Sequence, residues 1–241
     1  MPSGVVARRT RQSVRDRPAG ADRAEALIAG AAALDVPLTA VQVERLLAFA
    51  DLLERANRAF NLISRQDVSR LLSRHLLDSL SVAPLLPAGR VLDLGTGGGL
   101  PGVPLAIARE EARFTLVDRS ERKTRFVSRA VRELGIVNVT VCCGDVSALT
   151  LGPFEAVVSR AVASPDRLWA MAEPLLVRGG ILVVMHRADG QGEDGPPTPP
   201  PGAAIRTMRR FDVPGLPRSH EILVLARIPE ARVDETDARG N

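Results

Sequence analysis

Tyrosine is missing from this 241-residue chain, lysine occurs once, at Lys123, and there are only two cysteines and three histidines. Each scarcity closes off a class of chemistry. Without tyrosine there is no Ser/Tyr/Lys set of the kind that moves protons beside a nicotinamide. Cys142 and Cys143 are sequence neighbours. On a strand they point to opposite faces, so they make neither a disulfide framework nor a metal cage. His75, His186 and His220 lie far apart without metal-ligand spacing, and no metal is expected. No apolar run reaches the ~18 uncharged residues of a membrane span. The stretch from Met1 to Gln12 lacks the apolar core of a secretory signal. A cytoplasmic address with no membrane partner is the resulting expectation.

What is present is an ordinary globular composition, 45% hydrophobic and 25% charged. The length suits one large α/β domain with a small extension. Net charge is +4, nearly all the positive charge being arginine. Basicity favours polyanions such as nucleic acid. The arginine skew fits genomic base composition as well as it fits bidentate phosphate contacts. Residues 1–20 carry Arg8, Arg9, Arg11, Arg15 and Arg17 with almost no large apolar groups. That predicts a solvated basic tail, with an arm touching RNA phosphates as the alternative.

Residues 21–86 read as a helical extension. Leu38, Val41, Leu46, Phe49, Leu52 and Leu53 recur at roughly helical spacing after a candidate N-cap, Thr39. A second helical run extends from Val68 to Val82, and Ala59 to Ser64 breaks the two. The period then changes. Short apolar runs at Arg90–Leu94, Phe114–Val117, Val137–Val141, Glu155–Val158 and Ile181–Met185 predict buried parallel strands. Between them, helices are predicted over Glu121–Leu134 and Arg167–Leu176. Two further strand-like runs, Ile205–Phe211 and Glu221–Ile228, form a terminal hairpin after a glycine- and proline-rich loop over 188–202. The fold class is therefore α/β and Rossmann-like, with a seven-stranded sheet of the class I methyltransferase type over 87–229. A polar tail over 230–241 ends the chain.

The chemistry sits in the glycine loop after the first strand. Gly97 to Gly102 satisfies G-x-G-x-x-G literally, so NAD and an oxidoreductase are one reading. That pattern alone is weak. The loop opens earlier, at Gly95, and Asp93 lies near the strand's end. Asp93 to Gly99 fits D-x-G-x-G-x-G, a methyltransferase first motif with Gly95, Gly97 and Gly99 as its glycines. The Asp93 carboxylate is expected to orient the loop and to face the cationic amino-acid end of S-adenosylmethionine, directly or through water. Asp118 closes the second strand, where an acid accepts hydrogen bonds from both ribose hydroxyls. That role serves either ligand. Asp145, after the third strand, is a candidate for the adenine amino group, with Val146 and Ser147 beside the ring; helix capping and turn formation are the plainer roles for Asp118 and Asp145.

From about Asn61 to Met185 the chain resembles the bacterial small-subunit ribosomal RNA methyltransferase G family, formerly called glucose-inhibited division protein B. The segments that carry the resemblance are Asn61-Leu62, Arg74 to Ser79, Asp93 to Gly102, Leu116 to Asp118 with Lys123 and Phe126, and Ser159-Arg160-Ala161. Where that family tends to have Arg-Ala-Glu this chain has Asp145-Val146-Ser147. Where it tends to have lysine after the fifth strand, this chain has His186-Arg187. The resemblance implies methyl transfer to N7 of a guanine in small-subunit (16S) ribosomal RNA, naked or in the small ribosomal subunit. A divergent target on another RNA is the alternative. It implies donor contacts at Gly95, Leu100, Val146, Ser147 and Arg160. Arg160 and His75 are the candidate catalytic residues: Arg160 by binding the donor or an RNA phosphate, with a structural salt bridge as the plainer role, and His75 by stacking on a base or walling the site, with a packed structural histidine as the other reading. A monomer is expected, because the substrate is large.

Overall fold

The computed structural model describes residues 20–160, 163–187, 198–216 and 219–228. Residues 1–19 of the expected basic tail, 188–197 of the expected loop and the tail expected over 230–241 lie outside the described residues, as does Ala161. Five parallel strands build the sheet: β1 (Arg90–Leu94), β2 (Arg113–Asp118), β3 (Val139–Cys143), β4 (Phe154–Arg160) and β5 (Leu176–Arg187). An antiparallel pair, β6 (Ala203–Phe211) and β7 (His220–Arg227), extends it in the order β3-β2-β1-β4-β5-β7-β6. This is the seven-stranded arrangement that the sequence predicts. In β1 only Arg90 is exposed, as a central parallel strand covered on both faces requires.

Alternate strand residues feed two cores. Val91, Phe114, Leu116 and Val158 join the helices α1 (Gly20–Ala32), α2 (Ala40–Phe60), α4 (Gly102–Ala108) and α5 (Glu121–Glu133) on one face. Leu92, Leu94, Val157 and Leu182 join α6 (Pro165–Ala172) on the other. The helical extension thus shares its core with the sheet. Its α2 starts on a capping box, with Thr39 Oγ1 accepting from Gln42 N at 3.3 Å and Gln42 Oε1 accepting from Thr39 N at 2.9 Å. Gln42 also donates to the Ile107 carbonyl at 3.0 Å, which ties the start of α2 to the end of α4.

Four elements depart from expectation. The third strand starts two residues late, at Val139, and as an edge strand buries none of its residues, while Val137 is exposed. The second helical run is irregular: a 3-10 turn at Arg65–Arg70, a π segment at Leu71–Leu77, one turn of α-helix, α3 (Asp78–Leu80), and a 3-10 turn at Ala83–Leu85. Residues 75–83 are buried without a break, more than one face of a regular helix can turn inward, so tertiary contacts set the backbone. The strand β5 begins five residues early, at Leu176. Its register against β4 jumps from Phe154↔Leu176 to Ala156↔Ile181, and Gly179, at φ 82°, lets the extra residues bulge. The helix expected over Arg167–Leu176 instead starts with Pro165 in its first turn and gives way at Glu173–Leu175 to a 3-10 turn containing Pro174.

Removing the cap of α2 gives a direct test of this packing. Thr39→Ala is expected to cost about 1 kcal/mol. In a chain of this size that lowers the melting temperature by about 2–4 °C, read by circular dichroism.

Candidate active site

In an open α/β sheet the ligand crevice lies at the carboxyl ends of the strands where the order reverses, here between β1 and β4. A cavity of about 580 Å³ occupies that place. Its volume is in the range of small-ligand sites. The glycine loop forms its floor. Gly95 N and Thr96 N both donate to the Val117 carbonyl at 2.9 Å, which fixes the loop to β2. Gly95 and Gly97 take φ of 81° and 57°, a backbone region that other residues rarely adopt. A Cβ on Gly97 would meet nothing closer than the Gly95 carbonyl at 4.0 Å, so that wall is open to a ligand.

Two carboxylates hold the loop from opposite sides. Asp118 Oδ2 accepts from Gly97 N at 2.9 Å and Oδ1 from Ser120 N at 2.8 Å, and Lys123 Nζ lies 4.0 Å away. Asp118 lines the cavity, and each oxygen keeps a lone pair for a ligand. Asp93 lies fully buried below the loop. Its Oδ2 accepts from Thr96 Oγ1 at 2.6 Å and from Gly102 N at 2.8 Å. Burial pushes its pKa up to about 6, against the two hydrogen bonds and the Arg160 charge. Asp93 therefore orients the loop, as expected. It is not among the residues lining the cavity, and its other oxygen, Oδ1, is buried without a hydrogen-bond partner among the described residues.

Of the other candidates, Leu100, Val146 and Arg160 line the cavity with Gly95, Gly97 and Asp118. Gly99, Asp145, Ser147 and His75 are not among its lining residues. Gly99 packs backward: a Cβ there would sit 2.9 Å from Val103 Cγ2 and 3.2 Å from Phe49 Cζ. Asp145 caps the 3-10 turn Val146–Ala148, accepting from Ser147 N at 3.0 Å and Ser147 Oγ at 2.8 Å, and pairs with Arg119 Nη2 at 2.5 Å. The Ser147 hydrogen bonds, then the Arg119 charge, hold its carboxyl below the usual range. The side chains of His186 and Arg187 are outside the described residues.

His75 requires a correction. At 5% exposure it has no free ring face for a base. It stands behind Arg160, with Nδ1 3.4 Å from Arg160 Nη2. Arginine only donates, so Nδ1 accepts. Arg160 Nη1 also reaches Asp78 Oδ2 at 3.2 Å, and His220 Nδ1 lies 2.6 Å from Asp78 Oδ1. Arg74 Nη1 lies 3.1 Å from His220 Nε2, which must accept, leaving the Nδ1 proton directed at Asp78. Burial pushes the Asp78 pKa up, but the His220 hydrogen bond and then the Arg160 charge outweigh it, and the net shift is downward. The roles of Asp78 and His220 were missed in the sequence. Asp78 falls in the Arg74–Ser79 segment without a role of its own in the pattern, whereas His220 is brought in only by the antiparallel return of β7. The cavity also takes Leu62 and Ile63 from the turn after α2. Buried Asn57 places that turn by accepting from Ile63 N at 2.9 Å.

The buried His75 predicts a pH dependence. Burial, then the Arg160 charge, lowers its pKa from 6.5 to about 3. The unfolded chain takes up a proton there below about pH 6.5 that the folded chain refuses until about pH 3, so this group's stability is lost as pH falls through that window. His75→Asn removes that loss. The stability of the wild type relative to His75→Asn, from urea unfolding, should fall by on the order of 2 kcal/mol between pH 7 and pH 4.5. A pH-independent difference would mean that the folded state protonates His75 freely.

Comparisons with known proteins agree with the geometry. The family model for rRNA small subunit methyltransferase G matches residues 42–193. The ribosomal RNA small subunit methyltransferase G of Neisseria meningitidis serogroup A is 37% identical over 86% of this chain and 99% of its own length. The protein of that name from Ralstonia nicotianae is 39% identical over 86% of this chain and 96% of its own, and the one from Methylococcus capsulatus 43% identical over 73% and 84%. Among solved structures, MtNAS in complex with MTA and tNA has a TM-score of 0.50 at 16% identity, over 77% of this chain and 70% of that one, and shares the fold alone. With a family model over most of its length and relatives matched nearly end to end, this chain belongs to the rRNA small subunit methyltransferase G family.

Proposed function

We propose that this protein transfers a methyl group from S-adenosylmethionine to N7 of a guanine in small-subunit (16S) ribosomal RNA. The observation that carries the reading is the cleft at the β1/β4 switch point, with an open glycine floor and the Asp118 carboxylate at its edge, in a chain of this family. The oxidoreductase reading falls with the family. Its G-x-G-x-x-G begins at Gly97, whereas the turn after β1 begins at Gly95.

The residues present fit this donor. Asp118 has lone pairs for two ribose hydroxyls, and Val117, Gly144 and Val146 offer a narrow apolar wall to an adenine ring. The glycine floor lets a ligand reach the backbone, and Arg160 offers its remaining donors to a carboxylate or a phosphate. When bound, the sulfonium of S-adenosylmethionine supplies an electrophilic methyl group. Guanine N7 carries a free in-plane lone pair, so the protein needs no general base to make a nucleophile. Its task is alignment of N7 with the methyl carbon and sulfur. Methylated guanine is cationic, which a bare arginine nearby would oppose. Asp78 neutralises Arg160 at 3.2 Å and removes that penalty. His75, Asp78 and His220 thus act as positioning residues for Arg160.

Tritiated S-adenosylmethionine and small-subunit rRNA test the reaction, with N7-methylguanine located by borohydride reduction and aniline cleavage. Label at guanine N7 is expected; label on another base, or none, overturns the assignment. Asp118→Ala removes two charge-assisted hydrogen bonds to the ribose as well as the brace on Gly97. It should weaken the donor by about 2–4 kcal/mol, at least 30-fold by isothermal titration. Unchanged affinity would move the donor elsewhere.

A further inference from the structure

A second cavity, of about 690 Å³, lies between α2 and α5. It adjoins the donor cleft through two shared segments. The turn ending α2 gives Phe60 to this cavity and Leu62 and Ile63 to the donor cleft. The first turn of α5 gives Arg122 to this cavity and Lys123 to the donor cleft. The donor cleft uses none of the groove's own residues.

The groove combines an apolar floor with a cationic rim. Phe60 and Phe126 supply two of the chain's six phenylalanines, and Arg55, Arg122, Arg125 and Arg129 stand around them. Phe60, 41% exposed, is the one aromatic ring among the exposed large apolar residues of the described part. Asn61 holds it there as the left-handed cap of α2, at φ 48°, donating to the Asn57 carbonyl at 3.3 Å. The acidic partners on this face are weak competitors. Arg125 pairs with Glu121 at 2.6 Å and Arg129 with Glu133 at 3.4 Å, but both arginine side chains are more than 70% exposed, where such pairs contribute little. A phosphate can take either guanidinium at small cost.

Arginines flanking the exposed Phe60 ring and the half-buried Phe126, beside the proposed donor cleft, match the chemistry of unpaired nucleotides, which put phosphates on the cations and base faces on the rings. We propose that the groove between α2 and α5 holds a single-stranded stretch of the RNA substrate adjoining the target guanine. This rests on the rRNA methyltransferase reading above.

The experiment compares wild type with R122Q/R125Q and with F60S, each first checked for an unchanged melting curve and S-adenosylmethionine affinity. The substrate is protein-free small-subunit rRNA, at several salt concentrations. For R122Q/R125Q the RNA KM should rise about tenfold near 0.15 M salt, and the slope of log affinity against log salt should shrink by about 1.4, or ~0.7 per lost phosphate contact. F60S should raise KM about fivefold or more through lost stacking. In both variants kcat at saturating RNA should stay within about twofold of wild type. Wild-type KM and salt slope in both variants would overturn the inference while leaving the function intact. So would a defect confined to assembled small subunits, which would give the groove to a ribosomal protein. Failure of the wild type to label any rRNA would instead overturn the function, and the inference with it.

Discussion

A carboxylate with no access to water holds the glycine loop in shape. Asp93 gathers Thr96 Oγ1 and Gly102 N onto one oxygen, and so ties the two ends of the glycine turn to the strand it leaves. The approach at Gly102 leaves no space for a side chain, since a Cβ there would lie 2.5 Å from Asp93 Oδ2 and 2.8 Å from Leu116 Cγ. Burying the charge is costly, as the pKa near 6 records, and the two hydrogen bonds offset part of that cost. With the inner side fixed, Asp118 can brace Gly97 from the outer side and still face the cleft. The floor, the cleft and the proposed donor site all follow from this pair of braces.

A second buried charge set links three distant parts of the chain. Asp78 comes from the irregular helical segment, Arg160 from the end of β4 and His220 from the start of β7. Such clusters are weak contributors to stability, because desolvation consumes most of the attraction. Their value here is placement. Arg160 is fixed at the mouth of the cleft by Asp78 and His75, and the π segment Leu71–Leu77 lets the buried His75 and Asp78 reach it. The helical extension is therefore part of the site, through Leu62, Ile63, Asn57 and Asp78, as well as part of the core.

Much of this was legible in the sequence, for identifiable reasons. Buried parallel strands announce themselves as short apolar runs, and the β1 bounds follow directly from Arg90–Leu94. The Thr39 cap and the glycine loop are local features, fixed by residues close in sequence, so spacing reveals them. The misplacements arose where tertiary contact overrode local pattern. The run from Val68 to Val82 has helical periodicity, but burial on all sides broke the helix into 3-10, π and α turns. The fifth strand, expected from Ile181, already begins at Leu176, with a bulge at Gly179 inside it. Asp145 had two readings, an adenine contact and a turn, and its bonds to Ser147 N and Oγ are those of the local turn. Nothing local marks His220, since its partners Arg74 and Asp78 are more than a hundred residues away.

A crystal structure with S-adenosylhomocysteine decides whether the cleft between β1 and β4 is the S-adenosylmethionine site. The ribose hydroxyls are expected on Asp118, the adenine beside Val146 and the amino-acid end between Gly95 and Arg160. Density for the ligand anywhere else, with Asp118 free of the ribose, would contradict it.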